Sequence, residues 1–233
     1  MSGSSQPSKH HSPVKFSPGM FEHLAGGADP EVIAQAAHSS AWALLTQGRE
    51  NSDPAVTERL VEFTDHYGLE AIAEMWAEAP GVSLPGALWR IYALRDAVRQ
   101  SPETISRHYH LGQDAAQVSR VVAGVADPPK AEEVCRTIDA ILTGAYTGEF
   151  DVALERFGAF CRVVALGQAV AADRADVAVE AVGAEGHLHA GEFVSSPGST
   201  AQGNRLTKAS RRLITTAEEL ESSASAWRHG QLD

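Results

Sequence analysis

The chain has 233 residues, 43% of them apolar, and a formal net charge of −11. That length supports a sizeable core, and the charge sets the protein against polyanions such as nucleic acid as its main partner. No run approaches the roughly 18–20 apolar residues that cross a bilayer, and the opening MSGSSQPSKHHSPVKFSPG lacks the apolar centre of a secretory signal.

Residues 1–28 are rich in Ser, Pro, Gly and His without periodicity, which predicts a disordered tail. From residue 29 the signals are helical. Asp29-Pro30 is an N-cap followed by proline in the first turn, and Gly48 is the expected stop. Asp53-Pro54 repeats the start signal, with Gly68 closing, and Leu69 to Ala79 reads as a third helix ended by Pro80-Gly81. Leu84, Leu88, Ile91, Leu94 and Val98 form one stripe over Leu84–Gln100. Ser101-Pro102-Glu103 then caps a short helix.

Ile105 to Gly124, ISRHYHLGQDAAQVSRVVAG, is patterned as two helices joined by a turn at Leu111-Gly112. Asp127-Pro128-Pro129 starts a helix through Val134, Ile138, Ile141 and Leu142, broken at Thr147-Gly148. The strongest periodicity follows, Glu149 to about Ala172, with Leu154, Phe157, Phe160, Cys161 and Val164 on one face. From Gly183 the Gly/Ser-rich GAEGHLHAGEFVSSPGSTAQGN reads as a flexible linker. Leu206, Ala209, Leu213, Ala217, Leu220, Ala224 and Trp227 then draw a narrow seam on a last helix. The expected architecture is all-α: a tail over 1–28, a compact domain of roughly seven to eight helices over 29–182, a linker over 183–203 and a tethered amphipathic C-terminal helix over 204–233.

Charge is unevenly spread. Two Lys and one Glu in 1–28, with five Lys/Arg and four Asp/Glu in 204–233, leave 12 basic and 25 acidic residues in 29–203, a net of −13. Cys135 and Cys161 sit among apolar residues at helical spacing and are expected as buried, reduced thiols, in keeping with a cytoplasmic protein.

The pattern over 103–124 resembles a helix-turn-helix, with Gly112 as turn glycine and Val118-Ser119-Arg120-Val121-Val122 as second helix. Under that reading Gln117, Ser119 and Arg120 face DNA. Against it, His108 stands where a small residue belongs and Gln113 where an apolar one does. The span Arg95–Gly124 holds four Arg and three acids, with no positive cluster for phosphate. A DNA-binding regulator is therefore the second reading.

Chemistry-bearing motifs are absent: no GxSxG, P-loop, dinucleotide GxGxxG, HExxH or CxxC. The sequence names no catalytic residue, cofactor or metal site. His108 and His110, two apart, diverge on a helix. His187 and His189, flanked by Glu185 and Glu192, share a side in extended backbone but lack a further ligand cluster. Glu62 and His66 are spaced for a surface ion pair.

Two features suggest surfaces. Trp42, Trp76, Trp89 and Tyr92 lie on amphipathic helices, and Trp89 and Tyr92 flank Arg90 in an interface-like pattern, although core packing is the stronger account of them. The C-terminal helix carries Arg205, Lys208, Arg211 and Arg212 early and Glu218, Glu219 and Glu221 late, which opposes the helix dipole. Such a helix forms against something, either its own acidic body or a partner or second copy. Trp89, Tyr92, Leu213, Leu220 and Trp227 are the candidate partner-binding residues.

Pro85-Gly86-Ala87-Leu88-Trp89-Arg90, Gly124-Val125-Ala126-Asp127-Pro128-Pro129, Ala153-Leu154-Glu155-Arg156 and Ala159-Phe160-Cys161-Arg162-Val163-Val164-Ala165 resemble an uncharacterised family of small, Ala-rich helical proteins from high-GC Gram-positive bacteria, over about residues 30–170. The resemblance implies a helical fold and a cytoplasmic setting and carries over no active residue. The sequence thus reads as a non-enzymatic interaction or adaptor module, its partner another protein or a second copy, with no membrane and no nucleic acid as main partner.

Overall fold

The computed structural model describes residues 30–51, 53–116, 130–185 and 197–233, and every regular element among them is helical. In chain order these are α1 (Pro30–Glu50), α2 (Pro54–Val61), α3 (Phe63–Tyr67), α4 (Glu70–Trp76), α5 (Leu84–Gln100), α6 (Pro102–Ala115), α7 (Ala131–Thr147), α8 (Phe150–Glu185) and α9 (Pro197–Arg228). The all-α class expected from the sequence is what the chain forms. Among the described residues no helix is long and apolar enough to cross a membrane.

Local chemistry explains most boundaries. Asp53, in extended backbone, accepts from the Ala55 N–H at 2.9 Å and starts α2 on Pro54. Ser83 does the same for α5, accepting from the Gly86 N–H at 3.1 Å while donating to the Pro80 carbonyl at 2.8 Å. Gly86 is required there, because a Cβ would run into that carbonyl. Gly68, at φ 77, ends α3.

Elsewhere the boundaries differ from expectation. Gly48 does not stop α1, which continues to Glu50; it is buried, and a Cβ would meet the Tyr146 ring. Its role is close packing. The turn expected at Leu111-Gly112 is absent, since α6 runs unbroken to Ala115. There too the glycine serves an interhelical contact: a Cβ on Gly112 would collide with the Val163 carbonyl oxygen of α8. Residues 117–129, including Val118 and the Asp127-Pro128-Pro129 start signal, lie outside the described residues, as does the 1–28 tail.

The expected linker is also shorter. α8 extends past Ala172 to Glu185, and α9 begins at Pro197, not Asn204. Glycines at 183, 198 and 203 are carried inside long helices, and Gly203 is buried. What remains of the linker, 186–196, lies outside the described residues.

α8 and α9 pair antiparallel. Ser210 donates to the Ala165 carbonyl at 2.8 Å, and farther along Arg228 meets Asp151 at 2.6 Å. At 36 residues, α8 spans about 54 Å at 1.5 Å per residue. α6 packs on another face of α8, and α5 lies at the centre, with Leu84, Ala87, Leu88, Ile91, Tyr92 and Val98 wholly buried.

The C-terminal helix is part of this core. Ala217, Leu220 and Ala224 are fully buried, and Leu232 nearly so. The main-chain oxygen of Asp233 accepts from the Leu84 N–H at 2.8 Å, supplying a partner to one of the N–H groups that an α-helix start leaves open. The order of charges along α9 has a local cause: Glu219 pairs with Arg90 on α5, and Glu221 with Arg162 on α8. Arg228 in turn meets Asp151 and Glu155 near the start of α8, where acids also favour the dipole.

Candidate functional site

The densest polar arrangement in the described molecule joins α3, α5 and α7. Arg95 lies on the core face of α5, one turn past Ile91, and its side chain is 0% exposed. Its Nη1 and Nη2 donate to the two carboxylate oxygens of Asp65 at 2.9 and 2.8 Å, and its Nε donates to Asp139 at 2.7 Å. Arg99, one turn on, donates to the other Asp139 oxygen at 2.8 Å and lies 3.3 Å from Asp65. Two cations and two anions alternate, so the quartet is neutral and its fork geometry satisfied.

The Arg95 hydrogen bond leads in holding Asp65 below the usual carboxylate range, against the opposing effect of burial. Burial disfavours the charge on Arg95, but its bonds to Asp65 and Asp139 outweigh that and raise its pKa.

Beside the quartet, Tyr92 and Tyr146 share a hydroxyl contact of 2.6 Å, and Tyr92 donates to the Leu60 carbonyl at 2.6 Å. One proton per hydroxyl means that Tyr146 then donates to Tyr92. Burial pushes Tyr92 up to about 12 and Tyr146 well above its ordinary value. Both phenols stay protonated and tie α5 to α2 and α7.

A groove of about 620 Å³ opens over this cluster between α1, α2 and α7, lined in part by Arg49, Glu58, Glu62, Asp139, Thr143 and Tyr146. Asp139 and Tyr146 are already committed to Arg95, Arg99 and Tyr92, and Thr143 donates to the main chain of Asp139 at 2.8 Å. The arrangement holds helices together and offers no activated nucleophile.

Neither thiol is activated. Cys161 is wholly buried and pushed up to about 12, mainly by burial, and burial also raises Cys135. Among the described residues no group of three or more His, Cys, Asp and Glu is placed to hold a metal ion. His187 and His189 lie outside them. His66 turns its Nδ1 to the main-chain oxygen of Glu62 at 3.1 Å, so the pair does not meet through the carboxylate.

The candidate partner-binding residues do not share one surface. Tyr92 and Leu220 are fully buried, which corrects their reading as contact residues: the stripe of α5 and the seam of α9 that carry them face the core. Trp89, Leu213 and Trp227 are half-buried against that core. Trp227 meets Phe150 edge-on at 4.9 Å and Trp42 at 6.0 Å, and Trp42 keeps 49% of its surface exposed. The candidate DNA-facing residues Gln117, Ser119 and Arg120 lie outside the described residues. His108, too large for its place in a helix-turn-helix, is buried at the α6–α8 contact.

The sequence offers the whole of the C-terminal helix as a surface, and the structure leaves its first half the more exposed. Arg205, Lys208, Arg211 and Arg212 are all exposed, and none forms an ion pair among the described residues. Glu219 and Glu221, later in the helix, are engaged by Arg90 and Arg162, so among the described residues the early cations have no ion partner. Beside them Leu206, Leu213 and Ile214 are half-buried, whereas Leu220 farther along is fully buried.

Comparisons with protein-family models, with curated proteins and with solved structures gave no match.

Proposed function

We propose that the chain is a non-enzymatic protein-interaction module of the cytoplasm, with the first half of α9 as its recognition face. One observation carries the reading: four exposed cations without ion partners among the described residues stand on a helix whose other half is fixed in the core. A helix so anchored presents its side chains at little ordering cost, which favours binding. The groove over the Arg95 quartet adds no support for a reaction, because Asp139 and Tyr146 in its lining are engaged in holding the fold. Two free thiols fit a reducing compartment. A DNA-reading role for 103–124 gains no support from α6, which lacks the turn at Gly112 that the motif requires.

The test is a pull-down from native extract with the wild type and with Arg205→Glu/Arg212→Glu, both exposed positions. Loss of the retained proteins in the variant, at unchanged helicity, is the expected result. An identical set of retained proteins overturns the assignment of this face.

A further inference from the structure

We infer that the basic face of α9 docks on the acidic face of α4 in a second copy of this chain; this rests on α9 being the recognition face. The two segments are complementary in charge. Residues 197–215 hold four Lys/Arg and no Asp/Glu, whereas 54–82 hold six Asp/Glu and one Lys/Arg.

They also share one spacing, the four-residue step of Lys208–Arg212 and of Glu70–Glu74. Arg205, Lys208 and Arg212 recur at three and four residues, steps of about 4.5 and 6 Å along the axis. Glu70 and Glu74 stand about 6 Å apart on α4, and Glu78 continues the series just past its end. All three glutamates are exposed, and none forms an ion pair among the described residues.

Within one molecule the two rows are not joined. A second copy supplies each row with its complement, and a reciprocal contact closes after two chains. The half-buried Leu206 and Leu213 beside the cations add apolar area to the same contact. The overall charge of −11 opposes other polyanions over their whole surface. Between two copies that long-range repulsion is damped within about 10 Å at about 0.1 M salt, which leaves the touching rows to act.

Light scattering after size exclusion tests this with the full chain. At about 0.1 M salt the expected mass is twice the 24.7 kDa of one chain, falling to one chain at about 1 M, where screening reaches about 3 Å. Arg205→Glu/Arg212→Glu and Glu70→Lys/Glu74→Lys should each be monomeric with unchanged helicity, and an equimolar mixture of the two should regain the two-chain mass. A wild type that stays monomeric at high micromolar concentration overturns the inference. So does a dimer indifferent to both variants. Binding of the monomer to a labelled duplex DNA, lost in the arginine variant, also overturns it and makes the occupant a nucleic acid. If the wild type is monomeric while the arginine variant still loses its pull-down partners, the recognition face stands and only the second copy fails.

Discussion

Gly112 of α6 and Gly167 of α8 face each other across the tightest helix crossing in the described molecule. A Cβ on Gly112 would collide with the Val163 carbonyl oxygen, and a Cβ on Gly167 with that of His108. Both obstacles are main-chain atoms inside helices, so neither can swing aside. Gly112→Ala or Gly167→Ala should therefore lower the free energy of unfolding by about 2 kcal/mol or more, in the manner of overpacked cores. Gly144 is the control, since it lies inside α7 with nothing within 4 Å of the place a methyl would take. Gly144→Ala should instead stabilise by about 0.5–1 kcal/mol through helix propensity. Urea melts that move all three in one direction would contradict this account.

Removing Arg95 should be far more damaging than removing Arg99. Arg95→Leu leaves Asp65 and Asp139 in place with only the half-exposed Arg99 to answer them, and breaking a buried pair in this way costs about 3–5 kcal/mol. Arg99→Ala, at 39% side-chain exposure, should cost about 1 kcal/mol or less. The check is the difference between the two denaturation midpoints.

The acid limb of stability has two separate windows. His108 is buried, its Nδ1 has no hydrogen-bond partner among the described residues, and desolvation, then Arg107, lowers its pKa below 6.5. The unfolded chain thus takes up that proton first, so stability is full above the unfolded value and falls as pH drops from about 6.5 towards the folded one. Asp65, also lowered, adds stability that persists until pH falls through the carboxylate range below 3.8. His108→Leu should flatten the upper window and leave the lower one unchanged. A variant with the wild-type slope between about pH 6.5 and 5 would refute the assignment to His108.

Cys161 should report unfolding. Its burial and its pKa of about 12 leave almost no thiolate at pH 8, so alkylation in the native protein should be slow and should follow the opening rate. Both cysteines should react at once in denaturant. Rapid single-site labelling of native Cys135→Ser protein would show Cys161 to be accessible.

Leu220→Ala should cost about 2–5 kcal/mol, as befits a core leucine, whereas Leu206→Ala should cost about 1 kcal/mol. A mild effect at Leu220 would mean that α9 is an appendage.

The class of fold is legible in the sequence because it depends on local signals: Asp53-Pro54, Ser83 with Pro85-Gly86, and the 3- and 4-residue spacing of α5 and α8 all act within a turn or two. Glycines mislead where they serve contacts between distant segments. Gly48 and Gly112 look like stops, and only Tyr146 and Val163 reveal why no side chain fits there. The quartet is hidden for a similar reason, although Arg95 on an otherwise apolar stripe is a visible signal that a buried charge needs partners. The seam of α9 is plainly apolar, yet its complement on α8 lies 45 to 77 positions away, so the sequence offers it as readily to a partner as to the core. Its isolated cations are apparent from the sequence, but their exposure is not.

The C-terminal half of α9 has a consequence for the order in which the protein can be completed. Gly158, Cys161 and Ala165 of α8 are covered by α9, and the first N–H of α5 is satisfied by Asp233, 149 positions downstream of Leu84. Synthesis delivers these partners after everything they close upon. Until then the growing chain carries an uncovered apolar strip along α8 and an open first N–H on α5, the kind of surface that invites a chaperone or premature association. α9 is a lock on the helices made before it.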